Sequence, residues 1–181
     1  MALRMPEKPF STLSLWPIFL IVLTDVFGFT LVIPLLGIYA ERLHATPVQA
    51  TLLVSVFAAC QMVSGPILGT LSDRMGRKPL LILSQFGTFL GFLIMARAES
   101  LFLLFVGRII DGGTAGNLSL AQAYISDKTP PNKRAGAFAV IGIAFGIGFT
   151  FGPFVSGLLV KYGMNVPMYA ASVLSLVSVL T

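Results

Sequence analysis

Three ionisable side chains interrupt long apolar runs. Asp25 sits in WPIFLIVLTDVFGFTLVIPLL (16–36), and Arg108 and Asp111 sit in LFLLFVGRIIDGG (101–113). Asp25 lies nine residues beyond Trp16, about 14 Å along a helix at 1.5 Å per residue. Arg108 and Asp111 are three apart and share a helix face. A carboxylate's hold on its proton depends on burial and on nearby cations, so moving Arg108 relative to either acid would switch proton affinity. The chemistry on offer is therefore uptake and release of a proton at Asp25 or Asp111, or contact with a solute in an aqueous path. A structural alternative is an Arg108–Asp111 ion pair beside a lone, protonated Asp25.

Other chemistries find little support. The single cysteine, Cys60, permits neither an internal disulfide nor a cysteine metal cluster, and His44 is the only histidine; no metal site is expected. No GxxxxGK[ST] loop or HExxH pair occurs, and the intramembrane acids lack a Gly-x-Gly-Asp context. An enzyme is not expected. Asn117-Leu118-Ser119 matches a glycosylation sequon but falls inside an apolar span, where it stays unmodified. Gln61, Gln85, Asn117 and Gln122 either line a cavity and touch substrate or bond between helices.

The elements that carry these residues belong in a bilayer. Of 181 residues, 56% are hydrophobic and 10% charged, against about 25% charged in soluble domains. The formal charge is +5, but the bases lie between apolar runs rather than on an amphipathic face, so no nucleic-acid partner is expected. About 20 apolar residues cross a bilayer as helix. Six spans are expected, at 14–40, 48–71, 79–97, 101–126, 136–160 and 167–181. The last, with 15 residues, is too short to cross, so the chain reads as part of something longer. Arg4, Lys8, Arg74, Arg77, Lys78, Lys128, Lys133 and Arg134 fall at one end of the spans, and Arg42, Arg97 and Lys161 at the other. That bias predicts a multi-pass protein of the cell membrane with a cytoplasmic N-terminus.

GPILGTLSDRMG (65–76) partly reappears as GPFVSGLLVKYG (152–163), and Asp25 falls almost opposite Asp111 in the same register. Two three-span repeats, the second inverted, are a recognised transporter architecture. The fold class expected for residues 1–181 is thus one all-α membrane domain, a six-helix bundle of two inverted three-helix repeats. The segment 69–80 clusters Gly69, Asp73, Arg74, Gly76, Arg77 and Lys78. It reads as a short hairpin, its glycines allowing close packing and a tight turn. The repeat keeps a base and the final glycine but has Val160 in place of Asp73, which makes Asp73 a gate candidate. The fifth span carries Gly142, Gly146, Gly148, Gly152, Pro153 and Gly157. Its small-xxx-small pairs permit close helix contact and its proline a kink. Tight packing and a pivot are both open readings.

GTLSDRMGRKPL resembles the loop signature of the major facilitator superfamily. GRIIDGGTAGN resembles its arginine motif, GIAFGIGFTFGPFVSG its antiporter motif, and Asp127 with Arg134 the loop after span four. The likeness covers nearly the whole chain, as the N-terminal six of the usual twelve spans. Asp25, Gly28 and Pro34 reproduce the first-span spacing of the tetracycline-exporter group of drug:proton antiporters. Two departures, Gly91 where that group has a carboxylate and Asp111 where it often has a small residue, put tetracycline itself in doubt. The resemblance implies that Asp73 and Arg77 belong to a cytoplasmic latch, that Arg108 takes part in proton coupling, that Gly152–Pro153 lie on the antiporter motif, and that Asp25 lies in a central cavity. It implies export of a small lipophilic compound, protons as the coupling ion with no resident cofactor, and a further six-span half as partner. Solute uptake on the same fold, or a non-transporting scaffold half, are the alternatives.

Overall fold

The computed structural model describes residues 15–180. Arg4, Lys8 and the outermost residues of the expected first and last spans lie outside them. Seven α-helices follow in order: α1 Trp16–Arg42, α2 Pro47–Met75, α3 Arg77–Ala96, α4 Leu101–Thr114, α5 Asn117–Lys128, α6 Arg134–Leu159 and α7 Val166–Val179. Five helical stretches are long and apolar enough to cross a membrane, α4 and α5 counting as one; α7 is shorter. The all-α membrane bundle expected from composition is what is found.

Two boundaries differ instructively from expectation. The span expected at 101–126 is broken at Ala115–Gly116. Ala115 has ψ 80°, outside the helical range. Gly112, Gly113 and Gly116 crowd this stretch, and glycine weakens a helix by about 1 kcal/mol relative to alanine. The expected hairpin at 72–79 shrinks to one residue. α2 runs to Met75 and α3 begins at Arg77, with Gly76 alone between them at φ 93°, ψ 154°, a backbone region that is essentially glycine's. Asp73 and Arg74 therefore sit on the last turn of α2, and Arg77 and Lys78 on the first turn of α3.

Packing links the two halves of the chain. α1 packs chiefly on α6, α2 on α4, and α3 on α4 and α7, whereas consecutive helices α1–α2, α2–α3, α5–α6 and α6–α7 touch far less. The pairs α1–α6 and α2–α4 exchange under the proposed repeat, and Gly163, equivalent to Gly76, also ends its helical segment at positive φ, 143°.

The core is split. One apolar cluster gathers Val22 and Val26 of α1 with Leu80, Leu81, Leu120, Ile125 and Ala144. The other gathers Leu31 and Leu36 of α1 with Leu53, Phe92, Met95, Leu104 and Met168. Between them on α3, α4 and α5 lie Ser84, Gln85, Thr88, Arg108, Asp111 and Asn117, and Asp25 lies beside them on α1 between Val22 and Val26. This polar layer divides two hydrophobic lobes.

Candidate functional site

A cavity of about 200 Å³ opens in the polar layer. Asp25 of α1, Gln61 of α2, Thr88 of α3 and Asp111 of α4 supply its polar lining, and Phe29, Phe57, Phe92, Phe145 and Phe149 its aromatic walls. Helix geometry sets this meeting. Gly91 and Gly107 bring α3 and α4 into contact, since a Cβ on Gly91 would lie 2.9 Å from the Gly107 carbonyl and 2.7 Å from the Asp111 Cβ. Gly112 does the same for α4 against α2, where a Cβ would lie 2.6 Å from the Phe57 carbonyl. Gly91 and Asp111, the two departures from the tetracycline-exporter pattern, thus face each other, and the space left by one holds the other.

Arg108 is fully buried. Its Nη1 donates to Asp111 Oδ2 at 3.2 Å and its Nε to the Leu53 carbonyl at 3.3 Å. Its guanidinium carbon stands 4.1 Å from the centroid of the Phe57 ring, a cation–π arrangement. Nη2 has no partner. This is the ion pair that the i, i+3 spacing offers as the structural alternative. Asp25 has a different partner: its Oδ1 accepts from Asn117 Nδ2 at 2.8 Å, and the Asn117 Oδ1 is buried without a donor. A buried polar atom left unpaired costs about 1–3 kcal/mol.

The four amides named from sequence separate. Gln61 lines the acid cavity and Asn117 binds Asp25. Gln85 is buried elsewhere, donating to the Ile21 carbonyl at 3.4 Å and lining a second cavity with Lys78 and Tyr124. Gln122 is exposed and away from the acid cavity.

A second charged site closes one end of the bundle. Arg77 Nη2 bonds Asp73 Oδ1 at 2.6 Å, and Arg77 Nε bonds Asp127 Oδ2 at 2.9 Å. Arg77 Nη1 also donates to the Ser72 hydroxyl and the Gly69 carbonyl. Asp73 ends α2 and Arg77 starts α3, each the wrong sign for its helix terminus; pairing offsets both. Asp127, 50 residues away, was named in sequence only as part of a loop likeness, because spacing alone does not show which helix ends meet. Arg74 and Lys78 are exposed.

The glycines of α6 also divide. A Cβ on Gly148 would lie 2.6 Å from Val26 Cγ1 of α1, and one on Gly152 would fall on the Thr30 hydroxyl. Thr30 Oγ1 donates to the Gly148 carbonyl at 3.0 Å, and Ser156 Oγ to the Leu31 carbonyl at 2.6 Å. Pro153 lies inside α6 but is exposed. A Cβ on Gly142, Gly146 or Gly157, by contrast, would meet nothing within 4 Å among the described residues, and the same holds for Gly69 of α2. Of the two readings left open for α6, tight packing within the bundle therefore accounts for Gly148 and Gly152 but not for Gly142, Gly146 and Gly157, which are exposed.

Residues 18–181 match the Major Facilitator Superfamily, and the chain belongs to that family. It is 36% identical over 157 residues to the class C tetracycline resistance protein of Escherichia coli, covering 85% of this chain and 40% of that protein. It is 36% identical over 159 residues to the class H tetracycline resistance protein of Pasteurella multocida, covering 86% and 40%. It is 32% identical over 171 residues to major facilitator superfamily domain-containing protein 10 of Bos taurus, covering 78% and 38%. The crystal structure of the human organic anion transporter MFSD10 (TETRAN) superposes with TM-score 0.82 at 26% identity, covering 98% of this chain and 47% of that one. The chain spans about 40% of the length of these curated relatives, and aligns with their N-terminal half.

Proposed function

We propose that this chain is the N-terminal half-bundle of a proton-coupled secondary transporter that exports a small, lipophilic compound by alternating access. The observation that carries the reading is the cavity of the polar layer, where two carboxylates and aromatic walls share one space with a fully buried arginine behind one acid. Intramembrane ionisable groups are expensive and mark ion or substrate paths. Here Arg108 neutralises Asp111, while Asp25 has only a neutral amide, which leaves Asp25 as the exchangeable group. The charged cluster around Arg77 then serves as a cytoplasmic latch, with the N-terminus on that side of the cell membrane. A second six-span half completes the path. Protons are the coupling ion, and a proton crossing 100 mV supplies about 2.3 kcal/mol, enough for more than a tenfold gradient. The protein acts as a transporter rather than an enzyme and requires no resident cofactor.

Likeness to the tetracycline resistance proteins supports export, with tetracycline itself left aside because of Gly91 and Asp111. The test is substrate efflux from proteoliposomes of the full-length protein under an imposed pH gradient. Asp25→Asn and Arg108→Ala should each abolish gradient-driven transport; parental rates in both would remove the coupling role. Reversal of the gradient driving uptake as a symport would overturn the direction while leaving the fold's role intact.

A further inference from the structure

The Asn117–Asp25 bond has a setting that the proton-coupling reading leaves unexplained. Asn117 is the first residue of α5, immediately beyond the break in the fourth span. The near side of that break is fastened twice. Ser84 Oγ of α3 donates to the Thr114 carbonyl at 2.5 Å and accepts from Gly116 N at 2.9 Å. Ser64 Oγ of α2 donates to the Gly112 carbonyl at 2.8 Å. These hydroxyls add to the short local bonds from Ala115 N to the Gly112 carbonyl and from Gly116 N to the Thr114 carbonyl, which take the place of regular helix bonds at the break. Beyond it, the side-chain bond from the first residue of α5 runs to Asp25 of α1.

An amide offers two donors and an acceptor, whereas a carboxylate only accepts. Facing an ionised Asp25, Asn117 satisfies its Nδ2 and leaves Oδ1 orphaned, as observed. A proton on Asp25 would add a hydroxyl donor to the acid that Asn117 already holds, and a small turn bringing it to the unpaired Asn117 oxygen would give α1 and α5 two bonds instead of one. We propose that Asn117 is a positioning residue for Asp25, fastening the acid to the far side of the broken fourth span so that protonation of Asp25 tightens the start of α5. This rests on the proton-coupled reading of the cavity. Other charged groups near Asp25 are few. α4 brings Asp111, held by Arg108; α2 and α3 bring the neutral Gln61 and Thr88. α6 carries no ionisable side chain between Arg134 and its end, and α7 carries only Tyr169.

The test is hydrogen exchange of the full-length protein at pH 5.5 and pH 8, as protection factors corrected for intrinsic exchange, read on peptides spanning 116–128 with 77–96 as control. In the parent, protection at the start of α5 should fall at least threefold from pH 5.5 to pH 8, with α3 unchanged. Asn117→Ala and Asp25→Asn should each flatten that response. A parental response in either variant, or none in the parent, overturns the proposal. If Asn117→Ala loosens α3 as well, Asp25→Asn, nearly isosteric, decides. Transport measured in parallel separates the two ideas. An α5 response that persists in both variants, while Asp25→Asn loses coupling, sinks this inference and leaves the proposed function standing. A response abolished by both variants, with coupling at the parental level in Asp25→Asn, does the reverse.

Discussion

Arg108 and Arg77 each stand among two aspartates, and the same three charges behave differently in the two places. Arg108 is fully buried with Asp111 as its partner and Asp25 across the cavity. Arg77 retains 19% of its side-chain exposure, and Asp73 and Asp127 retain 60% and 52%. In the interior, removing one partner strands a buried charge, at about 3–5 kcal/mol. At the end of the bundle, an exposed pair is worth about 0–1 kcal/mol and is screened by salt. The buried Arg108–Asp111 pair is therefore built to stay paired, and the end cluster to be made and broken cheaply. Under the proposed function, a gate that opens at every turn of the cycle is suited by weak bonds, and a paired arginine beside the proton site by burial.

The largest test of this contrast is Arg108→Ala, which leaves Asp111 without its cation. Thermal unfolding of the purified protein should show a loss of about 3–5 kcal/mol, well beyond the effect of Arg77→Ala; equal losses would erase the distinction. Next come the glycines of α6. Gly152→Ala drives a methyl into Thr30 and should cost about 1–3 kcal/mol, whereas Gly146→Ala, facing open space, should stay within about 0.5 kcal/mol. Gly76→Ala, forced into a backbone region open to glycine, should cost about 1–3 kcal/mol and shows how far the end cluster depends on the turn beneath it. The smallest effect is expected of Asp127→Asn. It should change stability by about 0–1 kcal/mol, and the difference from the parent should shrink as salt rises from about 0.01 to 1 M. A salt-independent loss would mean that Arg77 is effectively buried.

Much of this could be read from the chain. The apolar runs and their punctuating charges located the spans, because a bilayer selects length and hydropathy almost regardless of detail. The Arg108–Asp111 pair was legible because three residues of helix fix a shared face. The partners of Asp25 and Arg77 were not, because Asn117 and Asp127 are 92 and 50 residues away in sequence and only packing brings them together. The break at Ala115 was hidden by a run whose average hydropathy still passes for a span. Its signal, three glycines among residues 112–116, is shared with glycines that merely pack. On α6 the spacing gave no means of telling Gly148 and Gly152, which meet α1, from Gly142 and Gly146, which meet nothing within the bundle.

The crossed packing of the helices has a bearing on ancestry. Each three-helix repeat has little internal contact; α1 leans on α6, α2 on α4 and α3 on α7, always across the divide. A single repeat set free would expose most of the surface that it now buries, with no core of its own to fall back on. If the two repeats arose by duplication, a solitary three-helix ancestor would have needed a second copy of itself, inserted the other way up, to bury that surface.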